Sequence, residues 1–129
     1  MLVAEILAGL AAAFGAFLGF LSLIRPKWGQ GVVRLVPDPA KPGGFSEFRS
    51  SYGGLFLGFN GAVLLALIAG NGVMGASFAA GLAWLGSAVG RVVSMALDGT
   101  DTPYNRMNVA IEGGLGLMLL APFITHIVL

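Results

Sequence analysis

Arg49, Tyr52, Arg91 and Glu112 are the residues of this 129-residue chain whose side chains have the means for chemistry in apolar surroundings. Opposite charges attract far more strongly in a low-dielectric medium than in water, and they polarise whatever lies beside them. A guanidinium offers five N–H donors to a headgroup, a small anion or a carbonyl oxygen. A carboxylate and a tyrosine hydroxyl can relay protons. Together the four residues make a candidate polar pocket for a lipid headgroup, a quinone ring or a small anion. The competing reading is structural: an Arg91–Glu112 pair that fixes helix register, with Arg91 reaching its guanidinium up to the interface.

Such groups need elements to hold them, and the composition says which. The chain is 57% hydrophobic and 10% charged, against about 25% charged in a soluble domain, and its mean hydropathy is +0.89. A chain this short and apolar cannot cover a soluble globule with polar surface, so the bilayer is its expected solvent. The net charge of +1 argues against nucleic acid as a partner, because phosphate binding needs a dense basic surface. The absence of cysteine and the single histidine, His126, leave no thiol nucleophile, no disulfide and no Cys- or His-rich metal site. No cofactor and no metal is expected.

A helix needs about 20 mostly apolar residues to cross roughly 30 Å of hydrocarbon. Four stretches meet that length and predict an all-α, integral membrane bundle with antiparallel neighbours, one domain over residues 1–129: about 2–24, 48–69, 73–97 and 107–128. The first lacks the basic start of a signal peptide and is read as a retained helix. Arg25-Pro26 ends it, Gly70-Asn71-Gly72 ends the second, and Asp98-Gly99 the third. The first loop, with Pro26, Pro37, Pro39 and Pro42, is too proline-rich for one helix but suits a short interfacial piece at Trp28–Val36, with Trp28 at headgroup level. Asn105 is a plausible N-cap for the fourth helix.

Lys and Arg stand at 25, 27, 34, 41, 49, 91 and 106. With four crossings, all lie in or toward loops 25–47 and 98–106. The positive-inside rule places those loops in the cytoplasm and both termini in the periplasm of a bacterial inner membrane. At 1.5 Å per residue, Arg91 is roughly 10 Å inside the third helix and Glu112 is at a similar depth in the fourth. Glu47 and Arg49 begin the second helix on the same side, with Tyr52 a turn deeper. Arg49, Arg91 and Glu112 are thus expected at one depth.

Helices in lipid associate through close packing of small residues. Gly15 and Gly19, Gly54 and Gly58, and Gly86 and Gly90 are each four apart, so each pair marks a helix-packing face, within one chain or against another. The nine phenylalanines are read as core or lipid-facing.

The run Arg49-x-x-Tyr52-Gly53-Gly54 with Gly58, then Gly90-Arg91 before Asp98-Gly99, then Glu112 early in the last helix, resembles the domain of unknown function 4345 family over roughly Phe45 to Ala121. The resemblance implies a four-helix inner-membrane protein of no assigned activity, with Arg49, Arg91 and Glu112 at its characteristic polar positions. Two functions follow as expectations. One is a non-catalytic accessory or scaffold subunit, packed by its glycine stripes against a larger membrane complex or another copy of itself. The other is a small lipid-, quinone- or anion-binding or transport unit that uses the Arg/Glu cluster. Membrane lipids are partners in either case, and an enzyme is not expected.

Overall fold

The computed structural model describes residues 1–41 and 43–128; Pro42, one of the loop prolines, and Leu129 lie outside the described residues. Among the described residues, five of six α-helices and one π turn build four long rods. These are α1 (Leu2–Ile24), the composite Gly44–Ala69, α5 (Val73–Leu97) and α6 (Pro103–Val128). Each has 23 to 26 residues, roughly 35 Å or more at 1.5 Å per residue, which exceeds the roughly 30 Å of a bilayer core. All four are long and apolar enough to cross a membrane. The composite rod consists of α3 (Gly44–Phe48), a π turn (Arg49–Gly54) and α4 (Leu55–Ala69). α2 (Pro26–Val33) is the short helix of the first loop.

Two rods begin earlier than the apolar runs suggest. The second starts at Gly44 rather than Phe48, and the fourth at Pro103 rather than Met107. Local chemistry explains the latter. Pro103 has the fixed φ of a first helical residue, and the Thr102 hydroxyl accepts from the Asn105 backbone N–H at 3.2 Å. Thr102 is therefore the N-cap, and Asn105 lies inside the helix. The interfacial piece runs over Pro26–Val33 rather than Trp28–Val36, because Pro26 starts it at once and Arg34 ends it in the left-handed conformation (φ 59°).

The tight turn between α4 and α5 is a glycine device. Gly70 (φ 65°) and Gly72 (φ 76°) both occupy left-handed conformations. The Asn71 N–H donates to Ala66 O and the Gly70 N–H to Leu67 O, both at 3.2 Å, which is the Schellman ending of a helix.

The rods form a four-membered ring: α1 lies against α4 and α6, and α5 lies against α4 and α6. The core occupies the half of the ring next to the N-terminus. There Ala8, Ala11 and Ala12 of α1 meet Val63 of α4, Ala80 and Trp84 of α5 and Leu119 of α6. Small residues of α1 let neighbouring backbones close in. A Cβ at Gly19 would stand 2.4 Å from the Leu57 nitrogen, and one at Gly53 would stand 2.8 Å from Leu23 Cα. On the opposite side of the ring, α5 and α6 cross at Gly81 and Gly116, where a Cβ on either would come within about 3 Å of the other's carbonyl oxygen.

The four-residue glycine spacing therefore marks a contact only in part. Gly15 and Gly19 lie in interfaces, but a Cβ on Gly58, Gly86 or Gly90 would meet nothing within 4 Å, and one on Gly54 would meet only Arg49 O at 3.8 Å. The reason is angular. α5 buries Ser77, Ala80, Gly81, Trp84 and Ala88, and at about 100° per residue Gly86 points away from that stripe. In the composite rod Gly53 takes the inward place, and Gly54 is turned outward.

Candidate functional site

The other half of the ring, toward the first loop, is open. A cleft of about 630 Å³ runs inward from α2, between α1, the π turn, α4, α5 and α6, a size within the range of small-molecule sites. Its floor is built by a short chain of dependencies. Gly15 has no side chain, so Asn60 fits against α1; a Cβ there would stand 2.4 Å from Asn60 Oδ1. Asn60 is fully buried. Its Nδ2 donates to Phe56 O at 2.9 Å, and its Oδ1 accepts from Trp84 Nε1 at 3.1 Å. Those bonds satisfy a polar group that apolar burial would otherwise penalise, and they fix the indole of Trp84 at the base of the cleft. Phe56 meets Trp84 edge to face, with centroids 5.3 Å apart, a favoured aromatic geometry.

The inner wall carries the charged pair. Arg91 Nε donates to both oxygens of Glu112 at 2.9 Å, and Arg91 Nη1 donates to Asn105 Oδ1 at 3.1 Å. Asn105 in turn donates to Thr100 O at 2.7 Å. Glu112 is buried, while the Arg91 side chain keeps 27% exposure. A carboxylate this enclosed is tolerable because its charge is matched. Arg91, Glu112, Ser87 and Tyr52 all line the cleft.

The outer wall and roof come from the first loop. α2 seats its Gly29 between Ser22 of α1 and Phe48, where a Cβ would stand within about 3 Å of both side chains. The Tyr104 hydroxyl donates to Val32 O, and the Arg34 guanidinium carbon lies 3.5 Å from the centre of the Tyr104 ring. Tyr104 thus ties the end of α2 to the start of α6, and Trp28, Arg34 and Tyr104 line the mouth of the cleft.

Sequence reasoning places Arg49, Tyr52, Arg91 and Glu112 in one cluster, and the structure separates them. Arg91 and Glu112 are paired, and Tyr52 lines the same cleft. Arg49 does not join them. Its guanidinium reaches instead to Leu23 O at the end of α1, where a last-turn carbonyl lacks a helical partner. The π turn explains the difference: it sets Tyr52 on Phe48 and Phe56, with centroids 5.0 and 6.3 Å apart, and leaves Arg49 on the outer side toward α1. Trp28, Trp84, Phe56 and Tyr104 are cleft residues that the apolar reading of the chain passes over. The signal available for Trp84 was Asn60, a mid-rod polar side chain that requires a buried partner. Among the described residues Glu5 and His126 form no ion pair, and no cluster with metal-ligand character occurs.

Where the turn at 98–102 enters α6, Arg106 donates to both Asp101 oxygens at 2.7 and 2.9 Å. Those hydrogen bonds hold the Asp101 carboxyl below its ordinary range.

Four membrane-length rods closed in a ring, with an ion pair inside and an open cleft at one end, define a multi-pass α-helical membrane protein. The chain belongs to the family described as "Domain of unknown function (DUF4345)", whose family model matches residues 3–122, nearly its whole length. No curated protein and no solved structure matches it.

Proposed function

We propose that this is a small membrane-embedded binding protein that holds a membrane-soluble, polar-headed molecule in the cleft beneath α2. The observation that carries the proposal is the cleft itself. Its walls are aromatic and aliphatic, and one polar wall holds the Arg91–Glu112 pair within reach of a ligand. A purely structural pair has no need of an opening beside it. The protein performs no reaction in this proposal. It sits in a bacterial inner membrane with the first loop and the turn at 98–102 in the cytoplasm, because the Lys and Arg residues gather at that end.

Native mass spectrometry of the protein extracted in its own lipids tests this. The expected spectrum shows the 13.2 kDa chain, or a small oligomer, with a retained small molecule that is lost from Ser87→Phe, a variant that fills the cleft. A chain free of any such molecule, and unable to take up added quinone or lipid probes, would overturn it.

One observation favours a second reading, an accessory subunit of a larger membrane complex. Gly58, Gly86 and Gly90 present bare backbone on the outside of the neighbouring helices α4 and α5, as close helix–helix docking requires. Recovery of a partner at fixed stoichiometry, lost on Gly86→Leu, would support it.

A further inference from the structure

We infer that the ligand of the cleft is a single-headed anionic amphiphile, and that Arg34 is the residue that selects its charge. This rests on the binding function proposed for the cleft and adds the chemical class of the ligand. The first ground is charge. Three charged side chains line the cleft, Arg34, Arg91 and Glu112, so it holds one uncompensated positive charge.

The second ground is the balance of donors and acceptors. Both Glu112 oxygens already accept from Arg91 Nε, and Asn105 Oδ1 accepts from Arg91 Nη1. Among the described residues Arg91 Nη2, the nitrogens of Arg34 and the hydroxyls of Tyr52 and Ser87 have no hydrogen-bond partner within the chain. The cleft is rich in free donors, and a ligand that completes it supplies acceptor oxygens. A quinone carbonyl offers acceptors but leaves the charge unmatched. A carboxylate or phosphate head meets both needs, and a guanidinium binds either one in a two-pronged fashion.

The third ground is the backbone at Arg34. It ends α2 in the left-handed conformation at φ 59°, the one non-glycine residue with positive φ among those described. The position normally belongs to glycine, and a residue with a Cβ is costly there. Held in that turn and stacked on Tyr104, the guanidinium is fixed at the mouth of the cleft. The apolar body of the ligand then lies inward against Leu18, Phe56, Trp84 and Ile111.

Both tryptophans of the chain, Trp28 and Trp84, line the cleft, so energy transfer in excess of that in Ser87→Phe, whose cleft is filled, reads occupancy against probe dissolved in the bilayer. The experiment uses the full chain in nanodiscs of zwitterionic phosphatidylcholine. The probes are parinaric acid, a fluorescent polyene fatty acid, and its uncharged methyl ester. Loss of a single charge-assisted hydrogen bond corresponds to about tenfold or more in affinity, so the acid is expected to bind at least about tenfold tighter than the ester. Arg34→Gln is expected to remove most of that difference while leaving the ester's affinity in place, and Arg34→Lys to restore part of it. Arg34 is exposed and outside the spans, so these variants leave the bundle intact. Competition by oleate against lysophosphatidic acid distinguishes the two sources of the head, and displacement by either one supports the inference. Equal binding of acid and ester would overturn it and leave the cleft as a site for neutral molecules. An unchanged preference in Arg34→Gln would overturn the role of Arg34. Failure of both probes to accept more energy than in Ser87→Phe would overturn the proposed binding function as well.

Discussion

Arg91 Nε lies 2.9 Å from both carboxylate oxygens of Glu112 and joins α5 to α6 inside the ring. Removing either partner strands a charge. Arg91→Ala or Glu112→Ala is expected to destabilise the folded bundle by about 2–4 kcal/mol, below the about 3–5 kcal/mol of a fully buried pair because Arg91 keeps some exposure. The double variant is expected to recover much of that loss. Denaturant unfolding in detergent measures the cycle, and additive single effects would show that the two side chains act separately.

The Gly15–Asn60–Trp84 chain makes a sharper prediction. Gly15→Ala drives a methyl against Asn60, and overpacking of this kind costs about 1–3 kcal/mol. The Trp84 indole also loses its fixed partner, so the tryptophan emission is expected to shift. Gly58→Ala is the matched contrast. It meets open space and gains about 0.5–1 kcal/mol from better helix propensity. Equal destabilisation by the two would contradict the packing of Gly15 on Asn60.

Tyr104 holds α2 by its hydroxyl and by its ring. Tyr104→Phe keeps the ring under Arg34 and removes the bond to Val32 O. Amides of 27–33 are expected to exchange several-fold faster, and those of α5 and α6 at the wild-type rate. Unchanged exchange in α2 would mean that the hydroxyl does not hold it.

The chain is free of cysteine, so single cysteines report sidedness cleanly. With the proposed orientation, Asn71→Cys is labelled by an impermeant maleimide added to whole cells or spheroplasts, and Lys41→Cys only in inverted vesicles. The opposite pattern would invert the topology.

Asp101 titrates below its unfolded value because Arg106 bonds to its charged form. A depressed folded pKa stabilises the fold above the unfolded carboxylate value of about 3.9, and that contribution disappears as pH falls through the folded pKa. The pair is exposed, so the effect is small. It is expected as a low Asp101 titration midpoint by NMR that returns to the ordinary range in Arg106→Gln.

Span number and the Arg91–Glu112 pairing were legible in the sequence, because length, hydropathy and matched depth are one-dimensional properties. The facing of each helix was not. Gly54 and Gly58 have the same spacing as Gly15 and Gly19, yet only the latter pair meets a neighbour. Spacing defines a stripe, and the rotation of the rod decides what the stripe meets. Arg49 misled for a related reason, since depth places a residue along a rod but not around it. The cleft was illegible because it is a gap between six elements, and α2 roofs it through pairings some seventy positions apart in the chain, such as Tyr104 to Val32.

The π turn at Arg49–Gly54 acts as a register setter for the cleft. A π turn fits one more residue into a helix than regular winding allows, so it sets the rotation of everything before it relative to α4. A relative with one residue fewer between Ser50 and Gly53 would wind regularly. Everything before that point would then be rotated by about 100° relative to α4. Phe48 would leave Gly29, the roof helix would lose its seat, and Tyr52 would no longer stack between two phenylalanines. Relatives that share the long form should share the cleft, and relatives with the short form should have the bundle without it.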